Sequence, residues 1–324
     1  MPLPSLATYR DHYRRELLES VIPFWLRHSL DRTFGGQFTC LDREGQVFDD
    51  RKYIWLQGRA VWMFSRLYNQ VEARPEWLEA AHLVAGFVRR FAFDGEGRCY
   101  FSLARDGRPA SFQRKPYGAV FVVMGLLEYA KATGDPTAFA EAKALFWRIL
   151  DWIEKPALLG RPSLPGQEGF TQLADIMVTA MMALELAAVD NDPRYDELLR
   201  RSVGAALRHL DPRTNVFLER SSLENGVSMD SPDGRFFNPG HSIEMAWFLL
   251  HVLRRLPEPS AERQILGILE SSLELGWDTE YGGLFYFMDV EGKPVLPLEA
   301  PMKLWWPHTE AIYAVILAYS NTRD

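Results

Sequence analysis

The residues best placed to do chemistry stand in the stretch Arg235-Phe236-Phe237-Asn238-Pro239-Gly240-His241-Ser242-Ile243-Glu244. Asn238 is suited to cap a helix by accepting from its free N–H groups, and Pro239 to fill the first helical position, where no N–H is required. His241 then falls in the first helical turn. The positive end of the helix dipole works against protonation there, so the imidazole is expected to be neutral and able to accept a proton. Glu244, three residues on, shares its face and is expected to orient it. A base with a supporting carboxylate is fit for proton abstraction, although a solvated helix start with one capping contact would account for the same residues singly.

Two further helices are expected to begin in the same way. Pro116 precedes Tyr117 and Pro307 precedes His308, each proline suited to a first helical position, and Arg59 lies on a fourth helix, in Trp55-Leu56-Gln57-Gly58-Arg59. If these helices pack side by side, their amino-terminal ends face one cavity, and the matching placement of the four residues argues for a shared pocket.

The elements that must position them form a repeat. Leu17, Leu18, Val21, Phe24 and Trp25 follow helical spacing from about Ser5 to Leu30, with Pro23 kinking the run. Two short strands around an Asp/Gly-rich turn follow between Asp31 and Gly45, and then a helix through Trp55, Trp62 and Phe64. The same order of helix, hairpin and helix recurs from Trp77 to beyond Pro116, where the turn is Asp94-Gly95-Glu96-Gly97. A third pair runs over Pro136 to Ile153 and Thr171 to Val189, separated by a Gly/Pro-rich loop. A fourth runs from Tyr195 through Asp211 into the His241 helix, and a fifth from Ser260 through Asp278-Thr279-Glu280-Tyr281-Gly282-Gly283 into the helix near Pro307. A long, near-constant period marks a stacked or closed array of one supersecondary unit. The second helix of each pair, richer in small residues, is the candidate inner helix.

Composition bounds the function. The 324 residues are 47% hydrophobic and 13% aromatic, with ten Trp, enough for a large core and for rings that stack on sugars. The formal net charge of −7 and the lack of a basic block argue against nucleic acid or an anionic membrane as partner. Cys40 and Cys99 form neither a metal-ligand pattern nor a disulfide framework, which suits a reducing cytoplasm. The amino terminus lacks the apolar core of a signal peptide, and the longest apolar run, from Ala119 to Leu127, is too short for a membrane span.

Lys303-Leu304-Trp305-Trp306-Pro307-His308-Thr309-Glu310, taken with Trp55-Leu56-Gln57-Gly58-Arg59 and Asn238-Pro239-Gly240-His241, resembles the N-acylglucosamine 2-epimerase family, also called the renin-binding-protein family. The hairpins Phe34-Gly35-Gly36 and Tyr281-Gly282-Gly283-Leu284-Phe285-Tyr286 extend the resemblance over essentially the whole chain. It implies an all-α fold, an (α/α)6 barrel with short hairpins, and 2-epimerisation of a sugar. In that chemistry the ring opens, a proton leaves C2, and a planar enediol-type intermediate is reprotonated. His241 would be the general base, Arg59 would stabilise charge at O1, and Glu310 would lie in the pocket as a third catalytic residue. Glu244 would support His241, with Tyr117, Trp306, His308 and Arg235 as sugar contacts. No metal or cofactor is expected, and no P-loop pattern occurs.

Two departures shape the expectation. Relatives acting on free mannose or on disaccharides place a further His on the third inner helix, where Asp175-Ile176-Met177-Val178-Thr179-Ala180-Met181-Met182-Ala183-Leu184-Glu185 has none. The Met181-Met182 pattern there resembles the N-acylglucosamine 2-epimerases proper and favours an N-acyl hexosamine, N-acetylglucosamine or N-acetylmannosamine. The period also predicts a sixth unit after Asp278, and the sequence stops at Asp324 before it. A single barrel domain over 1–324, truncated to five of six helix pairs, is therefore expected. The second catalytic His that the family carries in a Phe-His-Val-Pro-Arg type motif does not occur. A catalytically impaired sugar-binding protein, an aldose–ketose isomerase and an inverting glycosidase on the same barrel stand as alternatives. Apolar flanks left open would favour self-association, so a homodimer is expected, and the resemblance adds a nucleotide as modulator.

Overall fold

The computed structural model describes residues 5–112, 115–160, 170–222 and 231–323, and the chain divides into two compact units, Met1–Pro162 and Ser163–Asp324. The Gly/Pro-rich loop of the third pair falls at 161–169, outside the described residues.

In the first unit, α1 (Leu6–Arg15) runs through a π-helical stretch, Glu16–Val21, into α2 (Ile22–His28). The expected kink at Pro23 takes this form because a proline cannot donate to, and its ring crowds, the carbonyl one turn back; the wider π turn relieves both. Asp31–Gly36 makes a tight turn closed by a Leu30–Gln37 bridge, and β1 (Cys40–Leu41) and β2 (Val47–Asp49) then pair antiparallel. Of the two strands expected inside Asp31–Gly45, β1 lies within it and β2 just past it. β3 (Lys52–Tyr53) leads into α3 (Ile54–Gln70), and α4 (Pro75–Phe91) follows. β4 (Ser102–Leu103) and β5 (Pro109–Ser111) join β3 in a three-stranded sheet. α5 (Tyr117–Thr133) and α6 (Pro136–Glu154) complete the unit. α3 and α5 pack closely because glycines face each other: a Cβ on Gly58 would lie 2.4 Å from Phe121 C, and one on Gly125 2.6 Å from Gly58 O.

The second unit repeats the plan. β6 (Phe170–Gln172) opens α7 (Leu173–Ala187), followed by α8 (Arg194–Leu207), the hairpin β7 (Leu210–Asp211) and β8 (Val216–Phe217), and β9 (Arg220–Ser222), which pairs with β6. β10 (Phe236–Phe237) feeds α9 (Pro239–Arg255); α10 (Pro259–Gly276), β11 (Met288–Asp289) and α11 (Trp305–Thr322) follow. β10 pairs with β11. α9 packs against α7, α10 and α11, and Ile243, Met245, Ala246, Leu249 and Leu250 put it at the centre of the core. Successive second helices therefore touch, α3 with α5 in one unit and α7, α9 and α11 in the other, as expected of inner helices. Ile312, Val315, Ile316 and Tyr319 form an exposed apolar stripe on α11.

The aspartates that mark the repeat share one role. Asp31, Asp94, Asp211 and Asp278 each accept from backbone N–H groups just ahead of them through Oδ1, among them Thr33, Glu96, Arg213 and Glu280. Bridges Leu30–Gln37, Phe93–Cys99 and Trp277–Leu284, and the pairing of Leu210 with Phe217, close the four turns. The prolines behave less uniformly than expected. Pro239 opens its helix, whereas Pro116 is the residue before α5, and Pro307 is third in α11, where a missing N–H still costs nothing. Cys40 and Cys99 are both unpaired, and among the described residues no helix is long and apolar enough to cross a membrane.

Candidate active site

α9 delivers His241 as expected: Asn238 Oδ1 accepts from His241 N at 3.1 Å, and Pro239 takes the first position. The ring, however, is not oriented by Glu244. Its Nδ1 donates to Glu219 Oε1 at 2.8 Å, from the short segment between β8 and β9. Its protonation also departs from expectation. Burial disfavours the charged ring, but the field and hydrogen bond of Glu219, then the fields of Glu244 and Glu310, outweigh it and push the pKa up to about 9. Three carboxylates overcome the partial charge of one helix end, so at neutral pH His241 is an imidazolium rather than the neutral base expected. Among the described residues its Nε2 has no hydrogen-bond partner.

Aromatic rings border the imidazole. Trp306, from the first turn of α11, lies with its ring centroid 5.3 Å from that of His241 at 39°, and Tyr286 meets Trp306 edge-on at 6.1 Å. Gly240 makes room for this: a Cβ there would fall 2.5 Å from the Trp306 ring. Glu310 Oε2 accepts from Trp247 Nε1 at 2.9 Å, so a carboxylate of α11 is tied to α9 one helical turn and a half beyond His241. Burial, then Glu299 and Glu219, raise the Tyr286 phenol.

The other expected residues take different places. His308 Nε2 accepts from Leu284 N at 2.9 Å, which holds the last hairpin to α11, and Nδ1 donates to Leu304 O at 2.6 Å at the start of its own helix. Arg235 is buried and donates to Asp289 Oδ2 at 2.9 Å across the β10–β11 pair. Arg59 and Tyr117 belong to the first unit. The exposed Arg59 guanidinium lies 4.0 Å from the Phe121 ring centroid and 5.6 Å from that of Trp55; half-buried Tyr117 opens α5. The structure thus brings His241, Glu244, Glu310 and Trp306 together and adds Glu219 and Tyr286. A signal for the added pair exists in the repeat. Phe38, Tyr100, Leu218 and Phe285, the residues just past each turn, all donate to the carbonyl two places before the marking aspartate. Glu219 and Tyr286 are the next residues of their copies.

An imidazolium held by carboxylates beside an aromatic wall can donate and recover a proton at a carbon or oxygen of a sugar-sized ligand. The comparisons with known proteins agree with that chemistry. The family profile for N-acylglucosamine 2-epimerase (GlcNAc 2-epimerase) matches residues 36–324. N-acylglucosamine 2-epimerase of Bos taurus is 40% identical over 99% of this chain and 77% of its own. Among solved structures, cellobiose 2-epimerase from Bacillus thermoamylovorans B4167 superposes with a TM-score of 0.83 at 19% identity, over 98% of this chain and 84% of that one. A D-mannose isomerase superposes with a TM-score of 0.79 at 19% identity, over 100% and 84%. Fold and comparisons define a carbohydrate isomerase of the α/α-barrel class that epimerises sugars at C2. The chain belongs to the N-acylglucosamine 2-epimerase family.

Proposed function

We propose that the protein interconverts N-acetylglucosamine and N-acetylmannosamine, or a closely related N-acyl hexosamine pair, with His241 as the group that transfers the C2 proton. The observation that carries the proton-transfer role is the seating of His241, its Nδ1 on Glu219 and its ring beside that of Trp306. The substrate class rests on the likeness to the bovine enzyme and on α7, which has no His between Asp175 and Glu185. Met177 and Met182 of that segment are buried core residues, so it is the missing His and not the methionines that bears on the substrate. In one direction the imidazolium delivers its proton to one face of C2 of the planar enediol-type intermediate, and in the other the neutral ring removes it from that face; the proton on the opposite face is exchanged with solvent water. Arg59 is proposed, on the resemblance, to stabilise charge at O1, and Tyr117 to contact the sugar.

Incubation of N-acetylmannosamine in deuterated water, followed by NMR, tests this reading. Deuterium is expected at C2, and His241→Gln is expected to slow its entry by about 10²–10⁴-fold. Undiminished exchange in that variant would remove His241 from the mechanism. Retained sugar binding without any exchange in the native protein would favour the sugar-binding alternative. The protein is further proposed to be cytoplasmic, on its cysteine usage, to form a homodimer, on its apolar flanks, and, by the resemblance, to take a nucleotide as modulator. Sedimentation and assays with added nucleotide test the last two.

A further inference from the structure

We infer that Glu219 is the positioning residue of the proton-transfer step: it holds His241 by Nδ1 and thereby dedicates Nε2 to the sugar, while Glu244 and Glu310 act on the ring through their fields alone. The inference rests on the proposed reaction for the identity of the step, and on geometry for the pairing.

The pairing is built, not incidental. Glu219 N donates to Phe236 O at 3.0 Å and Glu219 O accepts from Leu173 N at 3.0 Å, so its backbone is clamped between β10 and the start of α7. The residue before it is clamped as well. Leu218 N donates to His209 O at 2.8 Å, and the buried His209 ring donates from Nδ1 to Leu218 O at 2.8 Å while its Nε2 meets Thr171 Oγ1 at 2.9 Å. A carboxylate on so fixed a backbone can define a ring's tautomer and direction, which a side chain free to swing cannot. The groups facing His241 are then Glu219 from the β8–β9 segment, Glu244 from its own helix, and Glu310 and Trp306 from α11. Tyr286, from the last hairpin, faces Trp306. Of the carboxylates, Glu219 is the one at hydrogen-bonding distance from the imidazole. Donation from Nδ1 leaves the second ring proton on Nε2, the edge that meets substrate.

Glu219→Gln keeps an acceptor for Nδ1 and removes the charge. In full-length protein labelled with ¹⁵N-histidine, and with His241→Gln to assign the signal, native His241 is expected to titrate well above an ordinary histidine and to retain its Nδ1 proton in the neutral form. In Glu219→Gln the titration is expected to move at least tenfold in proton affinity towards the ordinary value, and in Glu244→Gln by less. Turnover of N-acetylmannosamine by Glu219→Gln is expected to fall about 10²-fold in kcat with KM little changed, the alkaline limb moving to lower pH in step with the titration. Glu219→Asp, which keeps the charge but withdraws it by one methylene, is expected to lie between the two and serves if the amide variant does not fold. A Glu219→Gln titration that stays in place while that of Glu244→Gln or Glu310→Gln moves would overturn the inference. The titration is read without substrate, so failure of the native protein to exchange C2 would reject the reaction and leave the pairing decided on its own.

Discussion

A histidine at the leading end of a helix feels a partial positive charge of about half a unit, and in water that is enough to favour the neutral ring. At His241 the outcome is reversed because Glu219 adds a hydrogen bond to its charge, and Glu244 and Glu310 add their fields. The sign of the stability linkage follows. The folded pKa, about 9, lies above the unfolded value of 6.5, so the imidazolium contributes stability that is complete below pH 6.5 and is lost as the pH rises through 9. Its size is about 3 kcal/mol at most. His241→Gln is therefore expected to melt below the native protein at pH 6 and together with it at pH 10; equal melting temperatures at pH 6 would show that the carboxylates do not act on the ring. Gly240, next to it, carries a steric prediction. Its missing Cβ is the space the Trp306 ring occupies, at 2.5 Å from where the atom would stand. Gly240→Ala is expected to cost about 1–3 kcal/mol in denaturant unfolding and to displace Trp306, seen as a shifted tryptophan emission. An unchanged midpoint would mean that the ring has room to retreat.

At the scale of elements, the site depends on how the start of α9 is tied to the hairpin that carries Glu219. Ser242 does this: its Oγ accepts from the buried Phe217 N at 3.0 Å and meets Ser272 Oγ of α10 at 2.7 Å. Ser242→Ala leaves the Phe217 N–H buried without a partner, two residues before Glu219, and is expected to cost about 1–3 kcal/mol. Loss of epimerisation beyond the loss of stability would show that the tie also holds Glu219 in place; Ser242→Thr, which keeps the hydroxyl, is the check. This tie also marks the limit of what the sequence discloses. The helices were legible because their apolar residues recur at helical spacing over long runs, and the hairpins because each begins with an aspartate that caps its own turn. Asn238, Pro239 and His241 were legible because a cap, a first-position proline and the next turn are local facts. The place of Glu219 just past its turn recurs in the repeat, but its contact with His241, across 22 residues, was not legible. Glu244 drew attention by standing three residues from His241, yet it acts on the ring by its field, and the ring's hydrogen bond goes to Glu219. His308 shows the converse. Its matching place in the repeat was real, but both its nitrogens are spent on backbone, which no spacing discloses.

Across the whole chain, both compact units use the same turn aspartate locked by a lysine, but to different depths. In the first, Lys52 and Asp31 are fully buried, and Lys52 Nζ donates to Asp31 Oδ2 at 2.9 Å and to the carbonyls of Gly35 and Arg105 at 2.5 and 2.8 Å. Burial alone would raise the Asp31 carboxyl, but Arg105, Lys52 and the turn N–H groups together hold it well below the usual carboxylate range. In the second, Lys303 donates to Asp278 Oδ2 at 2.6 Å with 28% of its side chain still in solvent. Removing one partner of a buried pair strands the other, whereas at a partly solvated pair water takes over. Lys52→Met keeps an apolar stem against Phe87, whose ring lies 4.4 Å from the lysine nitrogen, and leaves Asp31 with Arg105 as its remaining cation. It is expected to cost about 3 kcal/mol, at the lower edge for breaking such a pair, against about 1 kcal/mol or less for Lys303→Met. Denaturant midpoints of the two variants decide the matter, and equal losses would mean that depth of burial does not set the strength of the lock. Every carboxylate found acting on His241 lies within Ser163–Asp324, so Lys52→Met is further expected to lower stability while leaving the His241 titration where it is. A titration that moved with Lys52 would show that the charge state of the catalytic ring is set by more of the chain than the three glutamates around it.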